Sequence, residues 1–203
     1  MSATRGPDSS AMRDLTKWTV SGLTAAALCY RRDSATALFV FGAVLNALLS
    51  KVLKRLINNA RPSGSALSDP GMPSSHAQSL FFFAAYLCIV THRSTTVPEF
   101  FEHTPRLAMK LLRETLAYCF PAVALGLALV RVRDGLHTHA QVFVGAVIGG
   151  AMGCAWLEWA QVPLQRRMHA GEVSSGWVAG LFAVGLLVVG SAERVLAAKL
   201  KRG

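Results

Sequence analysis

The sequence predicts an all-α integral membrane protein, a bundle of six transmembrane helices, on three observations. Hydrophobic residues make up 52% of the 203 positions and mean hydropathy is +0.39, more apolar side chain than a soluble domain of this size buries. The apolar residues gather into six runs, and none alternates with the period of two that a membrane β-barrel needs. An isolated strand leaves its backbone unsatisfied in hydrocarbon, so each run is predicted to be helical.

The runs are residues 17–30, 34–52, 79–91, 116–130, 142–159 and 176–192. Several fall short of the ~20 residues that cross a bilayer. Each must therefore extend into its flanks or lie beside polar residues that face protein, and the first is the least clean. They sit in a single membrane domain over residues 15–193, between a polar N-terminal segment (1–14) and a basic C-terminal tail (194–203). The N-terminal segment mixes Arg, Asp, Pro and Ser and has no apolar core of a secretory signal.

The connections and the remaining composition narrow the class. The stretch from Arg93 to Glu114 is expected to hold a short amphipathic helix opened by Pro105, with Leu107, Leu111 and Leu112 on one side and Arg106, Lys110 and Arg113 on the other, an interfacial pattern whose plainer reading is a solvated loop helix without function. Gly145, Gly149 and Gly153 recur every fourth residue, which permits close approach of another helix, within the chain or in a dimer. Cys29, Cys88, Cys119 and Cys154 lie in apolar runs without metal-ligand spacing and read as buried small hydrophobes. Net charge is +10. Because the basic residues flank apolar runs, anionic lipid headgroups are the expected partner and nucleic acid is not.

Three polar strings interrupt this pattern: Lys54-x6-Arg61-Pro62, Pro73-Ser74-Ser75-His76 and Arg131-x5-His137. The first two lie between the second and third runs, the third between the fourth and fifth. Two connections separated by two crossings emerge on one face, so all three can share a site. Two histidines can divide the work of nucleophile and general acid, while a lysine and two arginines supply positive charge for a phosphoryl group. The turn before His76 leads into a helix whose N-terminus favours an anion, with Ser74 or Ser75 as its cap. Singly, each cation has a plainer reading as an interfacial anchor.

In this order the strings resemble the signature of the type 2 phosphatidic acid phosphatase superfamily, K-x6-R-P, P-S-G-H and S-R-x5-H-x3-D. Gly71-Met72-Pro73-Ser74-Ser75-His76-Ala77-Gln78 and His137-Thr138-His139-Ala140-Gln141-Val142 are similar to its branch of dolichyl diphosphate phosphatases and plastid-type lipid phosphate phosphatases. The resemblance implies His137 as the nucleophile that forms a phosphohistidine and His76 as the acid that protonates the leaving group. It implies Lys54, Arg61 and Arg131, with Ser74 and Ser75, as the phosphate-binding set, and neither metal nor other cofactor. Ser75 stands where the superfamily more often has Gly, and Val130 where it has Ser.

Arg133-x5-His139 repeats the third spacing two residues on. Gln141 lies four places beyond His137, where its amide oxygen can take a hydrogen bond from the imidazole in place of the superfamily's aspartate; Phe143, four beyond His139, cannot. His137 is accordingly the expected nucleophile, and His139 a neighbour that faces the headgroup. His103 and His169 lack partners and are expected in solvent.

The expected activity is hydrolysis of phosphatidate-like lipid monophosphates, with dolichyl or polyisoprenyl diphosphate as the alternative and a non-catalytic lipid-binding protein as a reading of another class. Histidines as metal ligands fit badly among so many cations, and Glu158 stands nearly alone as an acid inside a run, which disfavours a proton-coupled transporter. Thirteen Lys and Arg fall on the motif face and eight on the other. With the three site cations set aside, the bias is too small to orient the chain, and endoplasmic reticulum and plastid membranes both remain. Oligomeric state is open.

Overall fold

A computed structural model describes residues 33–65, 69–93 and 106–174, with Tyr30, Gly176, Gly180 and Ala183 as isolated positions. The first apolar run apart from Tyr30, Cys29 included, all but three positions of the sixth, His103 and both terminal segments lie outside the described residues. The four central runs are helices: α1 (Ser34–Ile57), α2 (Ser75–Arg93), α3 (Arg106–Arg133) and α4 (His139–Ala155), the last continuing through a π-helical turn (Trp156–Gln161) into α5 (Val162–His169). Among the described residues three helical stretches, Ser34–Ile57, Arg106–Arg133 and His139–His169, are long and apolar enough to cross a membrane.

Each helix boundary follows from a local cause. Asp33 caps α1, its carboxylate accepting from Thr36 N at 2.6 Å. Asn58, in the left-handed region at φ 43°, ends that helix just after Lys54 and Arg55, whose charges suit its C-terminus. Ser74 precedes α2 and its hydroxyl accepts from Ala77 N at 3.4 Å, so the helix starts four residues before its apolar run and His76 lies in the first turn. At the end of α3, Gly135 takes φ 67° while its N–H reaches Val132 O and that of Leu136 reaches Arg131 O, a Schellman closure.

Two expectations are corrected here. The stretch after Pro105 is not a separate short helix: from Arg106 it runs unbroken into α3, through Pro121. Its polar positions continue the helical period of the apolar run that follows, and no breaker stands between them. The cysteines are not uniformly buried either, since Cys119 and Cys154 are exposed and Cys88 is half-buried. An apolar position in a membrane protein needs only an apolar neighbour, and lipid serves.

The same inversion governs the packing. Leu125, Leu127, Leu129, Phe143 and Trp159 point outward, whereas Ala117, Ala124 and Ala128 of α3 and Gly145, Gly149 and Gly153 of α4 are buried. The glycine row lies against the α2 backbone: a Cβ at Gly145 would stand 2.6 Å from Ser74 O and one at Gly153 2.7 Å from Phe82 O. Its use is thus within the chain, and it draws α2 into the centre between α3 and α4. Ala77, Ala128 and Val142 close the core at this contact.

Polar pairs cross-link the interior. Gln78 Nε2 donates to Asn46 Oδ1 at 3.0 Å between α2 and α1, and Gln161 Nε2 donates to Tyr86 Oη at 2.7 Å between the π-helical turn and α2. The segments 58–65, 69–74 and 134–138 meet at one end of the bundle, where Arg61 Nη1 donates to Leu136 O at 2.7 Å, Gly71 N to Asn59 O at 2.7 Å and Ser74 N to Gln141 O of α4 at 3.0 Å. All three polar strings belong to that end.

Candidate active site

The third string is built by two helix ends placed back to back. Arg131 sits three residues from the α3 C-cap, the Gly135 turn reverses the chain, and Thr138 caps α4 immediately afterwards. Thr138 and Gln141 form a capping box: Gln141 N donates to Thr138 Oγ1 and Thr138 N donates to Gln141 Oε1, both at 3.2 Å. His137 stands just ahead of this cap, buried, with its backbone N–H on Arg131 O at 3.3 Å. The spacing of Arg131 to His137 is thus the length of one tight reversal.

Gln141 decides which imidazole nitrogen is bare. Its Nε2 donates to the Ala60 carbonyl at 2.7 Å and to Asn59 Oδ1 at 2.8 Å, while its Oε1 takes the Thr138 N–H. A carbonyl only accepts and a peptide N–H only donates, so the amide has one orientation. Oε1 also lies 3.2 Å from His137 Nδ1, and since it can only accept, Nδ1 carries the proton. Nε2 is left with its lone pair, which accepts from Arg61 Nη1 at 3.0 Å. Burial first, then the Arg61 charge with Lys54 and Arg131 behind it, pushes the His137 pKa down to about 4, against the Gln141 hydrogen bond that raises it. The imidazole is held neutral, in one tautomer, with Nε2 among cations.

Gly71 makes room for this arrangement, because a Cβ there would stand 2.7 Å from Gln141 Cδ. Asn59, Ala60 and Thr138 were not anticipated as parts of the site. Thr138-x-x-Gln141 is a readable capping signal; the loop partners Asn59 and Ala60 carry none.

The first string converges on the same place. Arg61 Nη1 also donates to Leu136 O at 2.7 Å and its Nε to Asp69 O at 2.8 Å, which together fix the guanidinium beside His137. Its Nη2 donates to Asp69 Oδ1 at 2.9 Å, and Lys54 Nζ to Asp69 Oδ2 at 2.6 Å. Burial alone would raise the Asp69 pKa, but Lys54 and Arg61 together outweigh it and hold the carboxyl below its ordinary value. Asp69 is the fourth residue that sequence reasoning passed over; an acid between the first two polar strings was its visible signal.

The second string contributes differently at each position. Ser74 is fully buried, its hydroxyl spent on the α2 cap, and the Ser75 hydroxyl pairs with Ser50 Oγ of α1 at 2.8 Å. His76, half-buried in the first turn of α2, feels the charge of Arg131. His139, the first residue of α4, is exposed, as is His169 at the end of α5. Among the described residues no three His, Cys, Asp or Glu side chains gather to hold a metal ion. An open polar cleft of about 480 Å³ borders the site, lined by Asn59, Arg61, Ser65 and Asp69 among others.

The family model described as the PAP2 superfamily matches residues 35–165. Among curated proteins, the chain is 35% identical over 152 residues to lipid phosphate phosphatase epsilon 2, chloroplastic, of Arabidopsis thaliana, covering 74% of this chain and 49% of that one. The epsilon 1 protein of the same plant is 37% identical over 144 residues, 70% of this chain and 47% of the relative. Dolichyldiphosphatase 1 of Homo sapiens is 31% identical over 158 residues, 72% of this chain and 63% of the relative. The chain therefore spans about half the length of the plant relatives it matches. In fold it resembles the crystal structure of a transmembrane PAP2-type phosphatidylglycerolphosphate phosphatase from Bacillus subtilis, with a TM-score of 0.52 at 20% identity over 73% of this chain and 68% of that one.

Proposed function

We propose a function on the premise that the chain belongs to the PAP2 superfamily, whose model matches residues 35–165: it is a six-span membrane phosphatase that hydrolyses lipid phosphate monoesters of the phosphatidate kind. The observation that carries the reading is the His137 imidazole, neutral and unprotonated at Nε2, held at the end of the bundle where Lys54, Arg61 and Arg131 collect.

A phosphate monoester repels nucleophiles and leaves as a poor alkoxide, so the site must neutralise its oxygens, attack phosphorus and protonate the departing oxygen. Lys54, Arg61 and Arg131 take the non-bridging oxygens, with the N–H groups at the start of α2 beside them. His137 Nε2 attacks; its lone pair becomes the N–P bond as the ester P–O bond breaks, and His76 gives its proton to the lipid oxygen. His76 then removes a proton from water, which attacks the phosphohistidine and restores His137 while phosphate leaves. Gln141 keeps the nucleophile in the reacting tautomer throughout. No metal enters these steps.

A polyisoprenyl diphosphate is the second candidate substrate, favoured by the 31% identity to human dolichyldiphosphatase 1. The plant relatives, chloroplastic by name, favour a plastid membrane for this chain, with the endoplasmic reticulum as the alternative. Purified protein assayed in parallel on phosphatidate and dolichyl diphosphate, with excess chelator present, tests the reading. Turnover of phosphatidate that survives chelation and vanishes in His137→Ala, but not in His139→Ala, is expected. Activity that chelation abolishes and Mg or Zn restores overturns the mechanism.

A further inference from the structure

Two of the cations assigned to the phosphoryl group already hold an anion that belongs to the chain. The Asp69 carboxylate places one oxygen 2.6 Å from Lys54 Nζ and the other 2.9 Å from Arg61 Nη2. That is the forked contact a pair of phosphoryl oxygens makes. The two partners are enclosed, at 13% and 6% side-chain exposure, whereas Asp69 is 51% exposed and borders the open cleft. With half of its side chain exposed and the cleft beside it, the carboxylate has a way out from the cations by rotation about its own side-chain bonds.

Arg61 does not depend on that carboxylate for its position. Its Nε is held by the Asp69 backbone oxygen and its Nη1 by Leu136 O. Asp69 is therefore poorly explained as a brace and well explained as a competitor.

From this we infer that Asp69 is a specificity-determining residue, a tethered carboxylate that occupies Lys54 and Arg61 against singly charged phosphodiester headgroups and yields to the doubly charged phosphate monoester. The inference rests on the reading of Lys54 and Arg61 as phosphoryl-holding groups.

The physical reason lies in charge and concentration. A membrane enzyme meets phosphodiester lipids in great excess over any monoester. A diester offers the cations one negative charge, no more than Asp69 does, and Asp69 competes from a short tether at an effective concentration of about millimolar or above. A terminal monoester brings up to two charges and a third oxygen, which Arg131 can take. Discrimination comes from the built-in rival as much as from the fit of the substrate.

The test uses the full chain in nonionic detergent micelles, hydrolysing dioleoyl phosphatidate while phosphatidylglycerol replaces an uncharged lipid mole for mole. Wild type is expected to be nearly indifferent to phosphatidylglycerol. Asp69→Asn, which keeps the backbone contact to Arg61, should show a lower KM for phosphatidate alone and lose roughly tenfold in apparent kcat/KM as phosphatidylglycerol rises. Asp69→Glu, which keeps the charge, should behave like wild type. An Asp69→Asn protein as indifferent as wild type overturns the inference. So does one whose KM for phosphatidate rises, which would make Asp69 a positioning residue. Binding separates this from the catalytic reading: native mass spectrometry of His137→Ala with and without Asp69→Asn reads the ratio of bound phosphatidate to phosphatidylglycerol. A ratio that falls in the double variant supports the role of Asp69 even if no form of the protein turns lipid over, and an unchanged ratio overturns it.

Discussion

Gln141 and Gln161 lie twenty residues apart on one long helical stretch, at opposite ends of the bundle, and are equally buried, at 1% and 2% exposure. Each spends its amide on hydrogen bonds between segments distant in sequence. Gln161 Oε1 finds no partner among the described residues whereas both ends of the Gln141 amide are bonded, but burial does not tell the two apart. Their partners do. Gln161 Nε2 joins the Tyr86 hydroxyl and, at 3.3 Å, the Ala35 carbonyl, groups with nothing to transfer near neutral pH. Around it Trp156 Nε1 donates to Leu38 O at 3.0 Å and Arg93 pairs with Glu158 at 2.6 Å, contacts that hold helices together. Gln141 instead ends on an imidazole whose other nitrogen keeps its lone pair, in a cluster where three cations meet one carboxylate. Where a π-helical turn and a buried polar group would suggest function at the Gln161 end, the gathered cations and an imidazole unprotonated at Nε2 single out the other.

The largest effect expected from this contrast lies in the two histidines of the cationic end. His76→Ala should slow release of a lipid alcohol by on the order of 10²–10⁴-fold, yet scarcely affect p-nitrophenyl phosphate, whose leaving group needs little protonation. His137→Ala should be equally inactive on both. Equal defects of the His76 variant on both substrates, with detergent stability unchanged, would make His76 a phosphate ligand and deny it the role of acid.

The two glutamines give the next effect. Gln141→Ala frees the imidazole to rotate and change tautomer, and roughly 10²-fold of kcat should go, the usual cost of a misplaced reacting group. Gln161→Ala should leave kcat within a small factor of wild type and lower the thermal midpoint, by about 1–3 kcal/mol of stability for the polar partners it strands. If the second variant loses as much turnover as the first, the division between a catalytic and a scaffolding end is wrong.

The smallest effect is spectroscopic. Nitrogen NMR of labelled imidazoles should find one histidine, absent in His137→Ala, that carries its proton on Nδ1 and stays neutral down to about 4, well below the ordinary 6.5. The linkage has a definite sign. A depressed folded pKa means that the unfolded chain binds the proton first, so this group costs stability as pH falls from 6.5 toward 4 and costs nothing above that window. A His137 that titrates near 6.5 would show that the cations do not bear on it as the distances require.

Helicity, the apolar outer faces and the order of the polar strings could be read along the chain, because hydropathy and motif spacing are local properties. Gly145, Gly149 and Gly153 were legible as a contact row, and Thr138-x-x-Gln141 carries its capping signal in four residues. The length of α3 and the exposure of Cys119 and Cys154 were misread from the same kind of pattern, since hydropathy does not tell a lipid-facing position from a protein-facing one. Tertiary structure alone decided that Asn59 and Ala60 orient an amide some eighty residues away, that Asp69 bridges Lys54 and Arg61, and that one glutamine of two serves the imidazole. Those pairings depend on how two irregular loops meet at the end of a bundle. A loop's path is set by closure between helices already packed, and no periodicity in its own residues encodes it.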